Sequence, residues 1–308
     1  MDSATSPFDD VISIAPMIRV RGGHSAHAIN LDHAATTPPL RAVRQLVGEC
    51  LDWYGSVHRG DGHLSRIASR AYEDARAIVT TAVGANEREH VVIFGSNTTW
   101  ALNRLAHRLA LGADDVVIST ALEHHANDLP WRRGAQLKRI RCDARGAPDL
   151  AHAAWLLRQH AGRVRLLTVT GGSNVTGVLP DIAWLAREAH AVGARIAVDA
   201  AQLAAHRPIS MGELADPTHL DYIAFSGHKC YAPYGAGVLV GRRDTFAGGE
   251  PEHVGGGVVR RVTHDTIEWA DAPARDEAGT PNLVGAVALA GALLELQRLG
   301  YERIAAHE

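Results

Sequence analysis

Residues 220–240 read Leu-Asp-Tyr-Ile-Ala-Phe-Ser-Gly-His-Lys-Cys-Tyr-Ala-Pro-Tyr-Gly-Ala-Gly-Val-Leu-Val, and the fold is read outward from them. Tyr222 to Phe225 and Val238 to Val240 have the composition of short buried strands. Between them lies a turn rich in glycine and proline that carries Lys229 directly after Gly227 and His228. A primary amine at a strand end, among small residues, can approach a flat ligand, shed part of its hydration and form a Schiff base with an aldehyde. The alternative, a solvated loop lysine, is the usual state of that residue. Composition weakens it. The chain has two lysines, Lys138 and Lys229, and carries nearly all its other positive charge on arginine. Lys138 falls in a run with Arg132, Arg133, Arg139 and Arg141 that reads as a solvated face. At Lys229 an amine is retained where guanidinium could not do the chemistry.

The 308 residues suffice for one large domain or two ordinary ones, and a hydrophobic fraction of 46% fits a globular protein with a substantial core. A net charge of −3 gives no electrostatic case for nucleic acid or an anionic membrane as partner. No apolar run is long enough to span a bilayer. Cys50, Cys142 and Cys230 are widely separated, without the spacing of a zinc cluster or a disulfide framework, which fits a reducing, cytoplasmic setting. The first 16 residues have acids at Asp2, Asp9 and Asp10 and no signal-peptide pattern. The 18 histidines are scattered and read mostly as solvated or core residues.

Taken in order, residues 1–28 read as an irregular leader, and Asn30-Leu-Asp-His-Ala-Ala-Thr-Thr-Pro38 as a plain loop leading into a helix. Helical spacing follows over 39–54 and 65–83. The strand Val91 to Phe94 runs into Gly95-Ser-Asn-Thr-Thr99 and a helix from Trp100. A strand, a small polar loop and a helix N-terminus can hold phosphate, because the first-turn amides lack intrahelical partners and the dipole favours an anion. A simple Asn/Thr cap would read the same. The strand from Asp115 leads to Glu123-His124-His125-Ala-Asn127, whose adjacent histidines make a poor metal pair but whose flat ring could stack on an aromatic ligand. Val164 to Val169 ends in Gly171-Gly-Ser-Asn174, and Arg195 to Val198 in Asp199, with Gln202 beyond. The repeating strand, polar turn and helix predict an α/β fold with a mostly parallel sheet flanked by helices. Ser96 to Thr99, His124, Asn174, Asp199, Gln202 and Lys229 then fall at or beyond C-terminal strand ends, where open α/β sheets bind ligands. A phosphate cradle, a stacking ring, a carboxylate for a pyridinium nitrogen and a Schiff-base lysine are together what pyridoxal 5′-phosphate requires. The glycines at 235 and 237 precede a strand rather than open a helix, which disfavours a dinucleotide fold.

From about residue 29 to the end the chain resembles the class V aminotransferase family of fold type I enzymes, specifically its cysteine desulfurase and selenocysteine lyase branch. The likeness rests on Leu-Asp-His-Ala-Ala-Thr-Thr-Pro at 31–38, Val-His-Arg-Gly at 57–60, Glu-His-His-Ala-Asn at 123–127 and Pro130-Trp131. It continues through Ser-Asn-Val-Thr-Gly at 173–177, Val-Asp-Ala-Ala-Gln at 198–202, Ser-Gly-His-Lys at 226–229 and Glu-Ala-Gly-Thr-Pro-Asn at 277–282. The resemblance implies that Lys229 holds the cofactor covalently, His124 stacks on its ring, Asp199 pairs with the ring nitrogen and Gln202 bonds the phenolic oxygen. Thr98, Thr99, Ser226 and His228 would hold the phosphate, Thr280 would come from the neighbouring subunit of a homodimer with shared sites, and Asn174 would lie near ring and substrate. It also implies a large domain over 29–280 and, over 281–308, a linking helix with the start of a small domain. His33, Asn97, Trp100 and Asp276 depart from the family's usual residues. The chain stops before the family's mobile catalytic cysteine and its carboxylate-binding arginine, so turnover by these residues alone is not expected. The implied activity is removal of sulfur from cysteine to leave alanine, with a sulfur-acceptor protein as partner. The alternatives are an aminotransferase or epimerase-like activity of the same family, or a protein that binds the cofactor without desulfurase activity.

Overall fold

The computed structural model describes residues 17–308. The absence of a signal peptide and most of the leader were read from residues that lie outside the described ones. The described residues open with a two-stranded antiparallel hairpin, β1 (Met17–Arg19) and β2 (Ser25–His27), where the sequence suggested irregular structure. Helices α1 (Arg41–Asp52) and α2 (His63–Ala82) follow; α2 buries Ala68, Tyr72, Ala75 and Val79, the three- and four-residue spacing of one helical face. Then come β3 (His90–Gly95), α3 (Thr98–Leu109), β4 (Val116–Thr120), β5 (Gln136–Ile140), α4 (Leu150–Gln159), β6 (Val164–Thr170), α5 (Ile182–Ala191), β7 (Arg195–Asp199), β8 (Tyr222–Ser226) and β9 (Gly237–Arg242). A second hairpin, β10 (Val259–Val262) with β11 (Ile267–Trp269), precedes α6 (Leu283–Leu299) and α7 (Tyr301–His307). Side-chain caps fix the helix starts. Asn97, Asp149, Asp181 and Asn282 each accept from the amide three residues on, at 2.9–3.0 Å.

The main sheet has seven strands in the order β3-β9-β8-β7-β6-β4-β5. The pairings from β8 to β5 are parallel, and β9 alone runs against both its neighbours. Its central strands are buried on both faces, which is why they read as continuous apolar runs. Alternate residues feed two cores: Ile223, Phe225, Val238 and Val240 face α2, α4, α5 and α6, while Tyr222, Ala224 and Leu239 face α3. Strand β5, Gln-Leu-Lys-Arg-Ile, occupies a run whose sequence reads as a solvated face. It is the edge strand, where charged side chains are tolerated and discourage further pairing. Helix α6 buries Leu283, Leu289, Leu293 and Leu296 in the main core and leaves Leu294 exposed. Among the described residues no single helix is long and apolar enough to cross a membrane.

Candidate active site

Because β3, β4, β6, β7 and β8 point the same way, the loops leaving their C-terminal ends meet at one edge of the sheet. They enclose a cavity of about 490 Å³ lined by Thr98, Thr99, His124, Asn174, Asp199, Gln202, Ser226, His228 and Lys229, among others. These are nine of the ten site residues named from the sequence. Thr280 is not with them: it lines a separate cavity of about 360 Å³ beside Tyr72, Trp100 and Glu277.

Lys229 is half-buried, in a single helical turn directly after β8. The loop before α1 holds that turn in place: the Thr37 amide donates to the His228 carbonyl at 2.9 Å, and the Tyr231 amide donates to Thr37 Oγ1 at 2.8 Å. Asp32, Ala34 and Ala35 of the same loop line the cavity, and the Gln202 side chain donates to the Ala34 carbonyl at 2.8 Å. The segment that the sequence suggested was a plain loop is therefore a wall of the site. Its small side chains let the backbone approach.

Asp199 ends β7, is 4% exposed and accepts from the Ala201 amide at 3.0 Å. Burial pushes its carboxyl up to about 6, partly offset by that amide and by the positive charge of Lys229. A carboxylate so placed favours a cationic partner in the cavity. At another part of the lining is the N-terminus of α3. There the Thr98 amide donates to Ser226 Oγ, and the two hydroxyls lie 2.7 Å apart. Thr99 and His228 are beside them. Burial, with Lys229 nearby, lowers the His228 pKa, so its ring is neutral near pH 7.

The His124 ring accepts from the Ala126 amide at Nδ1, 3.1 Å away, which places its proton on Nε2. Burial and the charges of Lys229 and His125 lower its pKa, leaving a flat, neutral ring. Glu123, which the sequence marked only as part of a motif, supports this turn. Its carboxylate accepts from Thr120 Oγ1 at 2.6 Å, Asn127 Nδ2 at 2.5 Å and the Thr170 amide at 3.0 Å. Asn127 in turn accepts from Trp131 Nε1 and Thr168 Oγ1. Burial, with Asp199 adding a like charge, pushes Glu123 up to about 7. Only its separation from Asp199 in sequence hid this coupling.

No cysteine lines the cavity. Cys230 follows Lys229 but is fully buried among core residues and does not line the cavity, and burial pushes its thiol up to about 12. Burial also raises Cys50 and Cys142, neither of which lines the cavity.

The sequence profile of the aminotransferase class-V family matches residues 29–308. A cysteine desulfurase of Haloferax volcanii is 37% identical over 91% of this chain and 66% of its own length. One of Dickeya dadantii is 37% identical over 98% of this chain and 74% of its own. Among solved structures, an apo cysteine desulfurase from Thermococcus onnurineus superposes with a TM-score of 0.80 at 34% identity, covering 88% of this chain and 68% of that one. A cysteine desulfurase from Escherichia coli in S-sulfonic acid form superposes with a TM-score of 0.75 at 33% identity, covering 90% and 69%. The chain thus spans between 66% and 74% of the length of these relatives and structures.

Proposed function

The chain belongs to the aminotransferase class-V family, whose enzymes depend on pyridoxal 5′-phosphate, and on that premise we propose that it acts in desulfuration of L-cysteine to L-alanine. One observation carries the reading. A single cavity gathers an amine (Lys229), a buried carboxylate (Asp199), a flat neutral ring (His124) and a helix N-terminus with two hydroxyls (Thr98, Ser226). That lining fits the cofactor: the carboxylate suits a pyridinium nitrogen, the helix start suits a phosphate, and the amine suits an aldehyde.

What the bound cofactor supplies is an electron sink for bonds at the substrate's α-carbon. The chain's own groups do the rest. Asp199, buried at the end of β7, would hold a cationic ring nitrogen, and His124 would offer a flat neutral face to the ring. The Lys229 amine, which lines the same cavity, would hold the cofactor's aldehyde and would be the group available to move a proton at the substrate's α-carbon. An acceptor thiolate would bond to the substrate's sulfur and leave as a persulfide; the electron pair of the broken carbon–sulfur bond would stay on the β-carbon, which takes a proton to become the methyl group of alanine. None of the three cysteines lines the cavity to supply that thiolate. A sulfur-acceptor protein as partner is consistent with this. We read the protein as a homodimer with shared sites, a reading supported by Thr280 lying outside the Lys229 cavity of its own protomer. A cytoplasmic setting is supported by three free thiols.

The test is borohydride reduction of the yellow protein followed by peptide mapping. The reduced pyridoxyl group is expected on Lys229. Its appearance on Lys138, or on no residue, would overturn the cofactor assignment. In a sulfide-release assay with reductant, Cys230→Ser is expected to leave whatever rate residues 1–308 show unchanged; loss of turnover in that variant would make Cys230 the acceptor thiol.

A further inference from the structure

At the other end of the same strands, away from the Lys229 cavity, three side chains distant in sequence converge. His190 lies in the last turn of α5, His219 in the segment between β7 and β8, and Asp221 directly before β8. One ligand atom from each lies within 4.8 Å of the others. The His190 ring is 16% exposed, His219 8% and Asp221 1%.

Hydrogen-bond bookkeeping decides what this cluster needs. His190 Nδ1 is 2.8 Å from the Pro217 carbonyl and His219 Nδ1 is 2.6 Å from the Asp216 carbonyl. A carbonyl can only accept, so both Nδ1 atoms carry their proton and, in a neutral ring, both Nε2 atoms present a lone pair. Those lone pairs face one carboxylate. His190 Nε2 is 2.9 Å from Asp221 Oδ2, and His219 Nε2 is 3.5 Å from Oδ1. The buried His219 Nε2 has no hydrogen-bond partner. Acceptors facing an acceptor in a buried site call for a positive charge between them: a proton on His190 Nε2 would satisfy that ring alone and leave His219 Nε2 unpartnered, whereas a metal ion would serve both rings. Two imidazole nitrogens, each fixed by a carbonyl at the other ring nitrogen, plus one carboxylate are three ligands of a zinc-type site, with the fourth position open to water.

We infer that His190, His219 and Asp221 bind a divalent transition-metal ion of the zinc type. The partial exposure of His190 gives the ion a path in. The Ile196 amide, which donates to Oδ2 at 2.8 Å, holds the carboxylate in place. Arg242 donates to Oδ1 at 3.3 Å, so the ion is expected to take Oδ2 or to displace this longer contact. The two rings lie stacked, 4.0 Å apart and 12° from parallel. Both nitrogens can reach one ion, at about 2.0–2.1 Å each, only if the rings splay, so loading should open that stack.

The experiment is a zinc titration of the purified chain, followed calorimetrically near pH 7.5, with His190→Gln and His219→Gln as variants. Wild type is expected to bind one ion whose affinity falls about tenfold or more in each variant. Anomalous scattering from zinc-soaked crystals should place the metal between the three side chains. Absence of binding by wild type would overturn the inference, leaving protons as the occupants, as would unchanged affinity in both variants or an ion found elsewhere. None of these readouts depends on the Lys229 cavity.

Discussion

Asp199 shows how one residue's environment sets both its function and its cost. Its carboxyl is raised from an ordinary 3.8 to about 6 because it is buried. Below pH 3.8 the folded and unfolded chains both carry the proton. As pH climbs from there to about 6 the unfolded chain ionises first, so cofactor-free stability falls and then levels off. The shift of about two units corresponds to about 3 kcal/mol at most. Asp199→Asn keeps an oxygen for the Ala201 amide and loses the charge. The cofactor-free variant is therefore expected to match wild type in urea unfolding below pH 4 and to exceed it above pH 6, while binding pyridoxal phosphate more weakly. Equal midpoints at both pH values would show that Asp199 is not desolvated as described.

At the scale of elements, the phosphate end of the site depends on how closely β9 approaches α3. Gly237 opens β9, opposite Gly95 on one side and Ser226 on the other. A Cβ at position 237 would lie 2.4 Å from Asn97 Cα, and the backbone N and C of Asn97 are almost as near. These are main-chain atoms at the helix cap and cannot swing aside. Gly237→Ala should therefore displace the N-terminus of α3 from Ser226 and weaken cofactor binding, by about tenfold if the Thr98 and Ser226 contacts are lost. Equilibrium dialysis against pyridoxal phosphate, with circular dichroism to verify folding, measures this. A folded variant with unchanged affinity would refute the argument. The sequence marked Gly237 only as a residue leading into a strand. Its partner is 140 positions away, and no local pattern encodes such an approach.

For the molecule as a whole, the placement of Thr280 bears on how sites are built. It lies against a different cavity from Lys229, and the proposed homodimer would deliver it to the partner's site. Mixing Thr280→Ala with Lys229→Ala protein tests this directly. In a shared-site heterodimer one site lacks both residues and the other lacks neither, so binding of reducible cofactor at full affinity should return to one site in two. If no site of full affinity is regained, each protomer supplies its own phosphate contacts.

The alternation of strands and helices, and the polar turns that carry Lys229, Asp199, His124 and Thr98, are legible in the amino-acid sequence. Local rules suffice there, since apolar periodicity reports burial, and small polar residues mark strand ends. Strand β5 escaped because an edge strand with Lys138 and Arg139 has no apolar alternation to read. The reversal of β9, the wall formed by residues 32–37, the coupling of Glu123 to Asp199 and the meeting of His190, His219 and Asp221 were decided only by tertiary structure. Each depends on strand order, which brings together residues whose separation along the chain carries no periodic signal. Desolvation then acts on what has been brought together, which is why a carboxylate that could have been an ordinary turn residue becomes, at Asp199, a buried group with a shifted pKa.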